Sequence, residues 1–147
     1  MIKTIVCPID FSPFAERALK FAASLADKHD ARLVIVHVIE SVMPAYASLV
    51  IPSQAHGVEL ELQHLAEREM DDFLQDFGPQ PQWGKMLLVG RPLDGILQAC
   101  RQHHADIVVM GTHGKSFLER ALFGSVTEKV LRRLHLPILL VNLPADS

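Results

Sequence analysis

In this chain of 147 residues, the spacing best able to do chemistry is Gly111, two residues, Gly114, nine residues, then Gly124-Ser125. It starts at the end of an apolar run and finishes where a helical period opens. Glycines let a backbone approach a ligand closely and reach positive φ, so that successive N–H groups can face an anion. The N–H groups of Ser125, Val126 and Thr127 belong to a first helical turn, where donors are unpaired and the dipole favours negative charge. The Ser125 hydroxyl adds another donor. Two glycine turns and a helix start make a phosphate cradle, yet the same residues could simply turn the chain and cap a helix. Spacing alone leaves both readings open.

Other phosphate-binding patterns fail. The first glycine is Gly57, so the turn Ile9-Asp10-Phe11-Ser12-Pro13 is not the glycine-rich loop of a dinucleotide site. Gly114-Lys115-Ser116 has the tail of a P-loop, but the earlier glycine of that motif would fall on Val109. Near the cradle only Asp10 and Glu119 are acidic, too few for the Mg²⁺ ligands and positioned base of an ATPase or phosphotransferase. A phosphoacceptor receiver domain needs paired acids after the first strand and an aspartate after the third. Here Phe11 follows Asp10 and the third strand ends Val89-Gly90-Arg91.

The eight histidines invite a metal reading. His103 and His104 would diverge by roughly 100° on a helix, and His56 and His64 flank Glu59 and Glu61 without a cysteine. No dedicated metal site is expected. His113 lies inside the glycine loop, where a protonated imidazole could contact a phosphate, and it is expected to be solvent exposed. Lys115 and Arg120 could neutralise phosphate charge or remain idle loop charges. Cys7 and Cys100 read as small buried hydrophobes.

The elements that must position these residues alternate between short β-branched apolar runs and helical periods, which argues for a parallel sheet covered by helices. Five strands are expected: Thr4 to Ile9, Leu33 to Ile39, Met86 to Val89, Ile107 to Met110 and Ile138 to Val141. The first helix should start with Ser12 as N-cap and Pro13 at its first position, with Ala15, Leu19, Ala22, Ala23 and Ala26 inward. The second carries Leu62, Leu65, Ala66, Met70, Phe73, Leu74 and Phe77 and stops before Gly78-Pro79. A third runs from Pro92 with Leu93, Ile96, Leu97 and Cys100 inward. A fourth runs from Ser125 with Val126, Val130, Leu131 and Leu134 inward. The segment 40–57 has neither period and reads as a long loop. In a doubly wound sheet the winding reverses at one point, where a crevice opens at the carboxyl ends of two strands. With the first strand central, Pro8, Ile9 and Asp10 would lie beside Met110 and Gly111.

Composition bounds the rest. At 49% hydrophobic and 21% charged residues the chain fits one domain over 1–147 with a sizeable core. Fourteen basic against 17 acidic residues give a net charge of -3, so neither nucleic acid nor an anionic membrane is an expected partner. No apolar run approaches the roughly 20 residues of a membrane span. The opening residues lack a secretory pattern, and two cysteines suit a reducing cytoplasm.

Several of these segments together resemble the universal stress protein family. They are Gly111-Thr112-His113-Gly114, nine residues, Gly124-Ser125-Val126-Thr127-Glu128-Lys129-Val130-Leu131, and the closing Leu136-Pro137-Ile138-Leu139-Leu140-Val141. The opening Ile5-Val6-Cys7-Pro8-Ile9-Asp10-Phe11-Ser12 and Gly90-Arg91-Pro92 are similar to that family too. The resemblance covers essentially the whole chain. It implies a Rossmann-like five-stranded sheet in the order 3-2-1-4-5, a homodimer, and, where the glycine signature is complete, ATP binding. By position, Pro8, Ile9 and Asp10 would border adenine and ribose, with the Asp10 carboxylate accepting from ribose hydroxyls. Val38 would wall the base, Met110 and Gly111 would lie along the nucleoside, and Gly114, Gly124, Ser125 and Val126 would hold the phosphates. One residue departs: where many relatives carry a further glycine, this chain has Phe117, which restricts the loop.

The expected function is therefore nucleotide-dependent regulation or protection under stress, with ATP as ligand, Mg²⁺ as its optional companion, and at most slow hydrolysis. The alternatives are a slow ATPase or phosphotransferase, and a nucleotide-independent interaction protein, against which the intact glycines argue. The last strand, apolar and without a lysine, would leave an open edge suited to a homodimer.

Overall fold

The computed structural model describes residues 1–40, 52–115 and 117–145, without the side chains of 52–55. Its strands are β1 (Thr4–Pro8), β2 (Arg32–Glu40), β3 (Gly84–Gly90), β4 (Ile107–Gly111) and β5 (Ile138–Val141). All pair in parallel, in the order β3-β2-β1-β4-β5, as expected. The helices are α1 (Pro13–His29), α2 (Pro52–Leu74), α3 (Pro92–His103) and α4 (Ser125–Arg133), with a short 3₁₀ turn at Gln75–Phe77.

Both faces of the sheet are covered, which is why its central strands are apolar throughout. On one face Ile5, Cys7, Leu33 and Ile35 pack against Ala15, Leu19 and Ala22 of α1 and Met70 and Leu74 of α2. On the other, Val6, Val34, Val36 and Val108 meet Ile96, Ala99 and Cys100 of α3 and Val130 of α4. Burial pushes the Cys7 thiol up to about 12. The Cys100 thiol rises to about 11, burial outweighing the opposing charge of Arg101.

Ser12 caps α1 as expected, its Oγ accepting from the Ala15 N–H at 3.2 Å, with Pro13 at the first helical position. Three details differ from expectation. α2 begins at Pro52, inside the stretch read as a loop, because a proline suits a first helical turn and that stretch shows no apolar period to announce it. Residues 41–51 of that stretch lie outside the described residues. Leu65 and Leu131, assigned inward, are 47% and 38% exposed; each flanks a buried stripe carried by neighbours such as Ala66 and Val130. Ala23 and Leu97 are only half-buried.

The amino end of β1 is pinned by Asp106, whose carboxylate accepts from the Lys3 N–H at 2.7 Å and the Thr4 N–H at 2.9 Å. These two bonds hold the Asp106 carboxyl below the usual range. A folded-state value below the unfolded one contributes stability above the unfolded pKa, lost as pH falls through the folded value. The stability advantage of the natural protein over Asp106→Ala should therefore be present at neutral pH and fade below about pH 4, as read by urea unfolding across pH. An advantage undiminished in acid would disprove this role for the carboxylate.

Candidate functional site

The register Ile5↔Ile107 and Val6↔Val108 brings the carboxyl ends of β1 and β4 side by side, where the winding of the sheet reverses. Asp10 follows β1 there. Its Oδ1 accepts from the Ser12 N–H at 3.1 Å and its Oδ2 from the Lys115 N–H at 2.9 Å, so the carboxylate bridges the first turn and the glycine loop. Between Asp10 and Ser12, Phe11 is held at φ 63°, a region that bulky residues rarely occupy. Its ring packs against His37 at 4.3 Å and Phe73 at 5.5 Å between centroids, which braces the strained turn.

The glycines are required by close approach, not by positive φ, which among the described glycines only Gly78 and Gly90 adopt. A Cβ on Gly111 would stand 2.8 Å from the Phe14 Cβ and 3.0 Å from the His113 carbonyl oxygen. One on Gly114 would strike the Asp10 carboxylate, and one on Gly124 would come within 3.2 Å of the His113 Cα. The loop thus folds flat onto β4 and α1. Gly124 donates its N–H to the Thr112 carbonyl at 2.8 Å, closing the segment 112–124.

Ser125 is the first residue of α4 rather than its cap; Gly124 stands at the cap position in extended conformation. Glu128 N–H to Gly124 O, 2.9 Å, is the first bond of the helix, so the N–H groups of Ser125, Val126 and Thr127 precede the intrahelical pattern. Among the described residues the Ser125 hydroxyl has no partner. Thr127 turns its side chain inward, its Oγ1 donating to the Gly111 carbonyl at 3.0 Å, which ties the start of α4 to the end of β4. These amides and the hydroxyl can hold an anion.

On the α3/α4 face of the same edge lie Val38 and Met110, both packed with the second core group, and strand alternation places Pro8 with them. Val38 sits so close under Gly95 of α3 that a Cβ there would collide with it. Ile9 belongs instead to the α1/α2 core, and its N–H bonds the Val36 carbonyl at 2.8 Å. Its carbonyl lies 2.8 Å from His37 Nδ1. A carbonyl only accepts, so Nδ1 carries the hydrogen. His37 and the strained Phe11 were missed in the sequence, although a single histidine inside the apolar run of β2 was the visible signal.

His113 overturns an expectation. It is 9% exposed, not solvent-facing, and both ring nitrogens are engaged inside the fold: Nδ1 lies 3.1 Å from Thr112 Oγ1 and Nε2 2.9 Å from the Ala121 carbonyl. Phe14 packs on it tilted at 5.3 Å and Phe117 edge-on at 4.7 Å between centroids, so Phe117, the residue that departs from the pattern, packs on this imidazole. Lys115 turns its ammonium to Glu69 of α2 at 3.5 Å and over the Phe11 ring at 5.5 Å. With both ion-pair partners exposed, that bridge contributes at most about 1 kcal/mol. Glu119 and Arg120 are exposed on the loop. Away from the site, His103 Nε2 lies 3.0 Å from Met86 Sδ and His104 ends α3 in the left-handed conformation.

A sequence profile described as "Universal stress protein family" matches residues 1–142. The chain belongs to the universal stress protein family. Among its relatives, a universal stress protein from the QAH/OAS sulfhydrylase 3' region of Thermus aquaticus is 37% identical over 97% of this chain and all of that protein. Universal stress protein MJ0577 of Methanocaldococcus jannaschii is 31% identical over 97% of this chain and 96% of its own. A solved structure of MJ0577 superimposes with a TM-score of 0.82 at 28% identity, covering 98% of both chains. A universal stress protein solved in complex with cAMP superimposes with a TM-score of 0.65 at 26% identity, covering 97% of this chain and 98% of that one. Among the described residues of this universal stress protein, no helix is long and apolar enough to cross a membrane.

Proposed function

We propose that this universal stress protein binds ATP in the crevice between β1 and β4, and that occupancy regulates a protective response instead of driving fast chemistry. The observation that carries the reading is the meeting, at one sheet edge, of a closely packed glycine loop, the first turn of α4 and the Asp10 carboxylate. Phosphates would lie against the amides of Gly114, Ser125, Val126 and Thr127 and the Ser125 hydroxyl, with Gly124, whose N–H is held by Thr112, permitting the close approach. Adenine would rest on the apolar wall of Pro8, Val38 and Met110, with the nucleoside along Gly111. Ile9 then contributes backbone shape more than hydrogen bonds, since its N–H is already used. His113 supports the loop, both its nitrogens being engaged. The complex of a relative with cAMP supports an adenine nucleotide as ligand.

Asp10 already accepts two N–H bonds, and a carboxylate has about four acceptor positions, so ribose hydroxyls can add to the remainder. Losing a hydrogen bond to a charged acceptor costs about 1.5–3 kcal/mol, so dATP should bind roughly tenfold or more weakly than ATP. Titration calorimetry with both nucleotides tests this. No binding of ATP would sink the proposal, and equal affinities would remove Asp10 from the ribose. Mg²⁺ could accompany the phosphates. With Asp10 fastened to two amides, Glu69 paired with Lys115 and Glu128 with Arg132, and Glu119 the remaining acid of the loop, hydrolysis should stay well below about 1 s⁻¹, the low end of ordinary turnover.

The open edge of β5, where Leu139 is 38% exposed, supports a homodimer formed through that strand. Light scattering at micromolar concentration should return twice the chain mass, and Ile138→Lys should shift it toward the monomer. A monomer from the natural protein would reject the arrangement.

A further inference from the structure

We propose that His113 is a positioning residue: its imidazole fastens the far half of the phosphate loop to the end of β5, through a relay running Ala121, His113, Thr112, Asn142. The inference rests on the nucleotide site proposed above and adds how that site is held and from where it can be disturbed.

The relay can be followed atom by atom. The Ala121 carbonyl only accepts, so His113 Nε2, 2.9 Å away, must carry a hydrogen and donate it. Nδ1 lies 3.1 Å from Thr112 Oγ1. The Thr112 hydroxyl has one hydrogen to share between Nδ1 and Asn142 Oδ1, 3.2 Å away, and the amide oxygen is oriented by the Leu143 N–H at 2.9 Å. Asn142 is the residue directly after β5. Thr112 is gripped through its backbone as well, its N–H donating to the Val141 carbonyl at 3.0 Å and its carbonyl accepting from Gly124 at 2.8 Å.

Why the imidazole matters follows from the rest of the loop. Asp10 anchors it at Lys115 and Thr112 anchors it at Gly124. Between those points, among the described residues, the one hydrogen bond that residues 117–123 make beyond themselves is that of Ala121 to His113; Ala121 N–H to Leu118 O is internal. Residues 117 to 120 are exposed, and Leu118 and Leu122 are 69% and 79% exposed, so apolar burial holds this half through the half-buried Ala121 and Phe123 and through Phe117 on Phe14 and His113. The imidazole is therefore the polar link that fixes the approach to Gly124 and to the amides of α4. Because the relay ends beside β5, a change at that edge reaches the phosphates and leaves the adenine wall untouched.

Two substitutions separate the halves of the relay. In His113→Gln the amide nitrogen can stand near the place of Nε2 and keep the bond to Ala121. In His113→Asn the shorter amide can meet Thr112 but cannot reach Ala121. Two readouts are needed, one independent of nucleotide. In the free protein, exchange of the Gly124 amide, followed by NMR, should quicken about tenfold or more in His113→Asn and much less in His113→Gln. In calorimetry, ATP affinity should fall about tenfold in His113→Asn, stay within about threefold in His113→Gln, and fall several-fold in Asn142→Ala, while adenosine affinity is unchanged in all three. Equal exchange in the Asn and Gln variants would overturn the positioning role, and unchanged ATP affinity in Asn142→Ala would overturn its extension to β5. A natural protein that binds no ATP would instead defeat the proposed function, with the exchange measurement still deciding for or against His113.

Discussion

Gly114→Val should bind ATP at least a hundredfold more weakly than the natural protein, a loss of about 2.8 kcal/mol, while its thermal unfolding changes little. The first added carbon would strike the Asp10 carboxylate. Relief requires either the carboxylate to turn away or the loop to withdraw, and both break the 2.9 Å bond from the Lys115 N–H. Withdrawal carries the glycine-loop amides out of reach of the phosphates and detaches Asp10 from the position argued for the ribose. The fold should survive because Lys115 and the loop beyond it are exposed at the rim. Gly57→Ala supplies a control: it lies in α2 with nothing within 4 Å of an added Cβ, so affinity should be unaltered. Its stability should rise by about 0.5–1 kcal/mol, the helical preference for alanine. A Gly114→Val protein that binds ATP normally would show that phosphates do not lie against this loop.

The second large effect is on stability. Gly111→Val should lower the free energy of unfolding by about 3 kcal/mol, the upper end of the usual cost of overpacking. An added Cβ would meet the Phe14 Cβ at 2.8 Å, the His113 carbonyl at 3.0 Å and the Phe14 carbonyl carbon at 3.2 Å. Two of these three are backbone atoms, so no side-chain rotation relieves the crowding. α1 would have to move off the end of β4, disturbing Phe14, which is 5% exposed, and the core beneath it. Urea unfolding measures this directly. A difference under about 0.5 kcal/mol, the range of ordinary surface substitutions, would mean that α1 and β4 approach each other less tightly than the contacts indicate.

The parallel sheet and its crevice were legible from pattern, and the strand order from the resemblance to the family. Apolar β-branched runs alternating with helical periods admit few right-handed windings, and those with the first strand central place Asp10 near Gly111. What failed was local. His113 looked exposed because it stands among glycines and charges; its burial comes from Phe14 and Phe117, which are three-dimensional neighbours contributed from either side. The glycines were singled out for an incomplete reason, since sequence cannot separate a need for positive φ from a need for space. Pro52 had the same helix-opening role as Pro13 and Pro92, yet no apolar period follows it closely enough to show it. His37 was visible as an oddity inside β2, but its partner is a main-chain carbonyl, which no residue letter encodes.

The tie between Asp106 and the amides of Lys3 and Thr4 joins residues 102 and 103 positions apart, and it borders a strand pair that is equally remote in sequence. During synthesis on a ribosome, β1, α1, β2 and β3 can emerge and begin to associate while β1 still lacks the neighbour that completes its second edge. The crevice has no second wall until β4 arrives, and no α4 amides until the residues from Ser125 onward have followed. Contacts so distant in sequence form slowly, because the intervening chain must first be brought together. Nucleotide therefore cannot chaperone the early stages of folding. It can act only as a late lock, drawing the nearly completed chain toward the native state in proportion to its concentration over its dissociation constant.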